Sequence, residues 1–197
     1  MNPHLRLAAR PPAAFAAPLL ALLFALLLGA SLAAQAAPSD RTYIGGDFSG
    51  PHFQDPVNGI SGTGSGVSGK LYTGYRLSPY FSLEFGLVDL GHFDNTAGKV
   101  YGHGQYLDAI GLAPLSETWS VLGSVGAAHA TLHTSALLNN VSTSAKDSGA
   151  GLKLGLGFQY ALASNVALRV ELERYKPSVF GDRPAIDQRT AGVSMAF

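Results

Sequence analysis

Residues 70–91 read KLYTGYRLSPYFSLEFGLVDLG, and taking every second residue separates them into two sets. Leu71, Thr73, Tyr75 and Leu77, continued by Phe81, Leu83, Phe85 and Leu87, are almost wholly apolar. Lys70, Tyr72, Gly74 and Arg76, continued by Ser82, Glu84, Gly86 and Val88, are polar, small or charged. A period of two on either side of Ser78-Pro79 predicts an antiparallel β-hairpin. Helical spacing would scatter Lys70, Arg76 and Glu84 around the circumference and leave no clean face. A soluble sandwich turns its large apolar side chains inward. Here glycines and charges hold the opposite face, so the bulky residues are expected to face lipid around a polar interior. That is the polarity of a transmembrane β-barrel.

The alternation recurs along the chain. Residues 42–49 set Ile44, Gly46 and Phe48 against Tyr43, Gly45 and Asp47. Residues 105–113 alternate less cleanly, since turning Asp108 inward also sends Ile110 and Leu112 into the lumen; a bulge after Asp108 would repair the pattern. Residues 119–130 place Trp119, Val121 and Val125 outward and Ser120, Ser124 and Gly126 inward. The clearest strand is 151–160, with Leu152, Leu154, Leu156, Phe158 and Tyr160 opposed to Gly151, Lys153, Gly155, Gly157 and Gln159. Val166, Leu168, Val170 and Leu172 then oppose Ala167, Arg169, Glu171 and Glu173, and Ala191, Val193, Met195 and Phe197 oppose Thr190, Gly192, Ser194 and Ala196. Eight strands, each long enough for a tilted crossing, predict an all-β, eight-stranded antiparallel transmembrane barrel.

The connections alternate in length. Residues 77–80, 114–118 and 161–165 are short turns, whereas 50–68, 92–104, 131–148 and 176–187 are longer and are expected to form four surface loops. The first of these contains NGISGTGSGVSG, which has no periodicity and reads as a mobile loop. Tyr75, Phe81, Trp119, Tyr160 and Phe197 all fall near the short-turn ends, where an interfacial aromatic girdle is expected.

Residues 1–36 read as a secretory signal peptide, with Arg6 and Arg10 preceding an apolar run over 13–32 and Ala34-Gln35-Ala36 fitting a cleavage site. A retained transmembrane helix is the alternative, because about 20 apolar residues can span a bilayer. Cleavage would leave 37–197 as one barrel domain. The chain has no cysteine, so an exported fold would owe nothing to disulfides. Without Arg6 and Arg10, 11 basic residues face 13 acidic ones, and no basic patch suggests nucleic acid.

The ordered set TYIGGDFSG, GYRLSPYFSLEFG, GLGFQYALASNVALRVELERY and GVSMAF resembles the OmpA-like family of eight-stranded outer-membrane barrels, over residues 42–197. The resemblance implies residence in the bacterial outer membrane, in contact with its lipid and lipopolysaccharide. It implies that Val193, Met195 and Phe197 form the C-terminal signal read by the barrel-assembly machinery. It also implies an interior acid–base pair at Glu84 and Arg169. The family's further lumen partners are replaced here by Ile110 and Gln159. Larger members carry a peptidoglycan-binding domain after the barrel, which is not assigned to this chain.

Alternation places a polar cluster of Glu84, Lys153, Arg169, Glu171 and Glu173 in the lumen, with Asp47, Lys70, Arg76 and Asp108 at further inward positions. Charges enclosed there must be paired, since an isolated buried ion costs several kcal/mol. Arg169 is expected to bridge Glu84 and Glu171. The function expected is structural: a packed lumen and loops available for adhesion or another surface interaction. A narrow gated pore for water or ions is the alternative. A lipid A-modifying enzyme is a weaker one, because a Ser–His site at the outer rim finds only His133-Thr134-Ser135, and 171–175 reads ELERY. No enzyme activity, cofactor or metal site is expected; His129 and His133 are four apart, a spacing that means nothing in a strand.

Overall fold

The computed structural model describes residues 41–64, 66–138 and 141–197, so the leader at 1–36 lies outside the described residues. Eight strands close into a barrel in chain order, every neighbour antiparallel. They are β1 (Thr42–Phe53), β2 (Ser68–Ser78), β3 (Phe81–Asn95), β4 (Gly98–Pro114), β5 (Trp119–Leu138), β6 (Val141–Ala161), β7 (Val166–Pro177) and β8 (Ile186–Ala196). β1 pairs with both β2 and β8, so no sheet edge is left. In hydrocarbon this closure satisfies every backbone group along the strands, as a crossing requires.

Inside–outside polarity follows the alternation. Leu83, Phe85, Leu87, Leu156, Phe158, Val170 and Leu172 point outward and are exposed, while Asp47, Lys70, Glu84, Asp108, Lys153, Arg169, Glu171 and Glu173 are buried. Trp119 and Tyr160 are cross-strand partners in the girdle, with ring centroids 4.9 Å apart.

The expected bulge after Asp108 is absent. β4 runs in unbroken register against β5, and against β3 from Phe81 to Asp89, and Ile110 is buried in the lumen. It packs where Leu112 and Leu122 also line the interior, so apolar side chains fill that end. The register shift in β3 lies instead between Asp89 and Gly91. Gly91 has φ +80°, and its N–H donates to Asp89 Oδ1 at 2.8 Å. This shift breaks the period of two, which explains why the pattern ends at Gly91 in the sequence although the strand continues to Asn95.

Two of the expected loops are strands. Only Thr96 and Ala97 separate β3 from β4, and β5 and β6 run on through most of 131–148 as one projecting hairpin. Outside the membrane the outward side chains of these strands meet water while Phe93, Val100 and Leu132 pack inward in a buried apolar cluster, so the membrane polarity no longer holds and the sequence looks irregular. The remaining outer connections, 54–67 and 178–185, fold over the mouth. Val57 and Ile60 exchange backbone hydrogen bonds at 2.9 and 3.0 Å around Asn58 (φ +50°) and Gly59 (φ +78°). Both positive φ values are those of a type I′ turn, for which Asn-Gly is the favoured pair. Val179 and Asp182 repeat the turn around Phe180 (φ +53°) and Gly181 (φ +78°). A left-handed Phe180 costs about 1–3 kcal/mol, offset by packing against the buried cluster and by an N–H···O bond to Asp147. Hydrogen bonds from the backbones of Phe180 and Ser148 hold the exposed Asp147 carboxyl below the ordinary carboxylate range.

Candidate functional site: the closed lumen

Why the inward positions are small becomes clear from the register. Tyr43 faces Gly74, Tyr72 faces Gly45 and Tyr106 faces Gly86 across neighbouring strands. At each glycine an added Cβ would overlap the partner's ring. The glycines therefore let three tyrosines lie flat along the wall and aim their hydroxyls at the charged groups. Gly86→Ala is expected to displace Tyr106 and cost about 1–3 kcal/mol through overpacking, read as a lower urea midpoint. An unchanged midpoint would mean that the ring has room to move.

The expected cluster is brought together by β3, β6 and β7. Arg169 Nη1 lies 2.6 Å from Glu84 Oε2, and Nη2 lies 2.7 Å from Glu171 Oε1. Tyr43 and Tyr106 donate to the two oxygens of Glu84 at 3.0 and 2.8 Å. Asp47, Lys70 and Asp108 join the same network. Lys70 Nζ lies 3.1 Å from Asp47, 3.3 Å from Glu171 and 2.9 Å from Glu173. Lys153 pairs with Asp108 and, at 2.8 Å, with Glu173. Tyr72 donates to Asp47 at 3.1 Å and Tyr175 to Glu173 at 3.0 Å. The Lys153 ammonium also sits 4.3 Å from the centroid of the Tyr106 ring, and the Arg169 guanidinium 4.7 Å from that of Tyr72, both within cation–π range. Three cations thus hold five carboxylates in a chain of shared contacts across the barrel.

Among the described residues, both flanks of this network are closed. On the short-turn side, Tyr43, Arg76, Ile110, Leu122, Gln159 and Arg169 surround about 10 Å³, the room of roughly one water. On the other side lies an apolar plug that alternation alone did not reveal. Phe53, Val57, Ile60, Leu90, Phe93, Val100, Leu132, Val179 and Ile186 form one buried cluster with the tyrosines. Phe53 and Phe93 meet edge to face with centroids 5.1 Å apart. A usable signal was present at Asn58-Gly59 between Val57 and Ile60, a hairpin turn flanked by apolar residues.

The other assigned residues lie away from the lumen. Val193, Met195 and Phe197 close β8 on its outward face, and the Phe197 N–H bonds Thr42 O at 2.9 Å. His133 faces outward, its ring stacked on Tyr101 with centroids 4.5 Å apart, and the Ser135 and Ser144 hydroxyls are 3.5 Å apart.

The family model for the outer membrane protein beta-barrel domain matches residues 22–197. Outer membrane protein A of Salmonella typhi is 28% identical over 184 residues, covering 87% of this chain and 53% of that protein. The chain thus spans about half the length of that curated relative. Among solved structures, Ail, the attachment invasion locus protein of Yersinia pestis, matches with a TM-score of 0.56 at 15% identity, covering 80% of this chain and 98% of Ail. Neisserial surface protein A matches at 0.54 and 20% identity, covering 79% of this chain and 97% of that one. Both share the fold.

Proposed function

Since this chain belongs to the outer membrane protein beta-barrel domain family and resides in the bacterial outer membrane, we propose that it serves there as a closed structural barrel presenting its outer end for adhesion or another surface interaction. The observation that carries this reading is the sealed lumen. Ions crossing it would have to part charge pairs at 2.6–3.3 Å and then enter an apolar plug. Apolar constrictions resist wetting, and the buried pairs are costly to break. The outer end suits display because β5 and β6 stay hydrogen-bonded to residues 138 and 141, which makes a stiff projection rather than a loose loop.

This reading includes removal of the leader at 1–36, folding of 37–197 as one domain, and use of Val193, Met195 and Phe197 by the barrel-assembly machinery. It is also non-enzymatic. A lipid A-modifying site would need His133 to activate Ser135, yet His133 is stacked on Tyr101 and no hydrogen bond joins the two among the described residues. Planar-bilayer recording tests the central claim. No discrete conductance steps are expected from the folded protein. Steps of one reproducible size would favour the gated pore and overturn the closed reading.

A further inference from the structure

On the outer wall, the polarity of β7 changes within one outward step. Leu168, Val170 and Leu172 are followed by Arg174 and Lys176. The register places a matching change on β8, and on β1 beyond it, while β6 stays apolar at Leu154 and Leu152. One row runs Gly50, Arg189, Leu172 and Leu156 across β1, β8, β7 and β6, and the next runs His52, Asp187, Arg174 and Leu154. Together they bound a cleft of about 430 Å³ with Leu154 and Leu172 at its apolar edge and His52, Arg174 and Arg189 around it.

We propose that this cleft binds a phosphorylated lipid of the outer leaflet, with Arg174 and Arg189 on the phosphate and Leu154 and Leu172 against the upper part of an acyl chain. Arg174 is already oriented. Its Nε and Nη2 donate to the two oxygens of Asp187 at 2.6 and 2.7 Å, and Gln54 donates to the same carboxylate at 2.9 Å. That carboxylate is therefore occupied, while Arg189 has no partner among the described residues. Asp55, the other acid beside Arg174, accepts the Ala185 amide at 2.9 Å. Of the charged residues lining the cleft, Arg174 is paired with Asp187 and Glu173 turns into the lumen onto Lys70 and Lys153, so the exposed Arg189 leaves the cleft with a cation to offer.

A guanidinium matches a phosphate in geometry and keeps its charge at every accessible pH. A dissolved anion would leave the apolar edge without a partner. A lipid covers it, because Leu172 continues into the hydrocarbon-facing row of Val170 and Leu168. The site rests on the long-loop end being the external one, which the family's placement supplies.

The test is titration of diphosphoryl lipid A into the detergent-solubilised full-length protein, read by native mass spectrometry. The expected result is saturable binding that weakens about tenfold or more in Arg189→Gln and further in the double variant Arg174→Gln/Arg189→Gln, in line with loss of a charged hydrogen bond per arginine. Arg189→Gln breaks no hydrogen bond or ion pair among the described residues, so it keeps the test valid even if loss of the Arg174–Asp187 pair disturbs folding. Dephosphorylated lipid A should bind as weakly as the double variant does. Equal binding by both lipids, or by wild type and Arg189→Gln, overturns the proposal. Inorganic phosphate competing at the same concentration as lipid A would overturn the assignment to a lipid. Failure of the barrel reading itself is seen separately, as loss of the heat-dependent gel shift in the unmodified protein.

Discussion

Replacing Lys70 by methionine is expected to lower the unfolding free energy of the barrel by about 3–5 kcal/mol, the usual cost of removing one partner from a buried ion pair. Lys70 is the most shared cation in the lumen, within 3.3 Å of Asp47, Glu171 and Glu173. Without it, five carboxylates would face only Lys153 and Arg169 in a space closed at both ends. The loss should be visible as a lower urea midpoint in lipid vesicles, with Trp119, the single tryptophan, reporting from the girdle. The double change Lys70→Met/Glu173→Gln should cost less than the sum of its parts, because the second change removes one of the uncompensated charges. A single-variant cost below about 1 kcal/mol, the range of a solvent-screened pair, would mean that water reaches the network and the lumen is open.

The second large effect separates the membrane zone from the water zone of one strand pair. Leu156 is 62% exposed, yet it faces hydrocarbon between Gly123 and Leu172. Leu156→Arg should cost about 2–4 kcal/mol, the usual penalty for a cation near the midplane of a barrel's lipid face. His133→Arg introduces the same side chain on the outward face of the projecting hairpin, where it should stay within about 0.5 kcal/mol of wild type. Both are measured by the same unfolding series in vesicles. Equal costs at the two positions would remove the boundary between the zones, and with it the assignment of 131–148 to the aqueous side.

That boundary explains what could be read early and what could not. Within the membrane the outward face is apolar and the inward face polar, as Leu168, Val170 and Leu172 against Arg169, Glu171 and Glu173 show. Above it the order reverses. Leu132, Val100 and Phe93 turn inward, while His133, Lys99 and Asp94 turn outward. The membrane polarity is legible only as far as it holds, and beyond that point the strands look like loops. Nothing in a window of ten residues says that a strand has passed from lipid into water and kept its course.

From the sequence alone came the eight strands, their faces, the closed antiparallel order and the inward charges, because a period of two obliges each side chain to one side of a sheet. The girdle residues were legible from their place beside the short turns, and the pairing of Arg169 with Glu84 from the resemblance to the OmpA-like barrels. Tertiary structure alone decided which charges meet, since Lys70 and Glu173 are 103 positions apart and only barrel closure makes them neighbours. It also decided that the mouth is stoppered: Val57 and Ile60 are separated from Val179 by more than half of the chain, and the three reach a common centre only when two tight turns fold back over the rim. Local alternation is a property of adjacent residues, whereas sealing a lumen depends on distances between residues that sequence order keeps far apart.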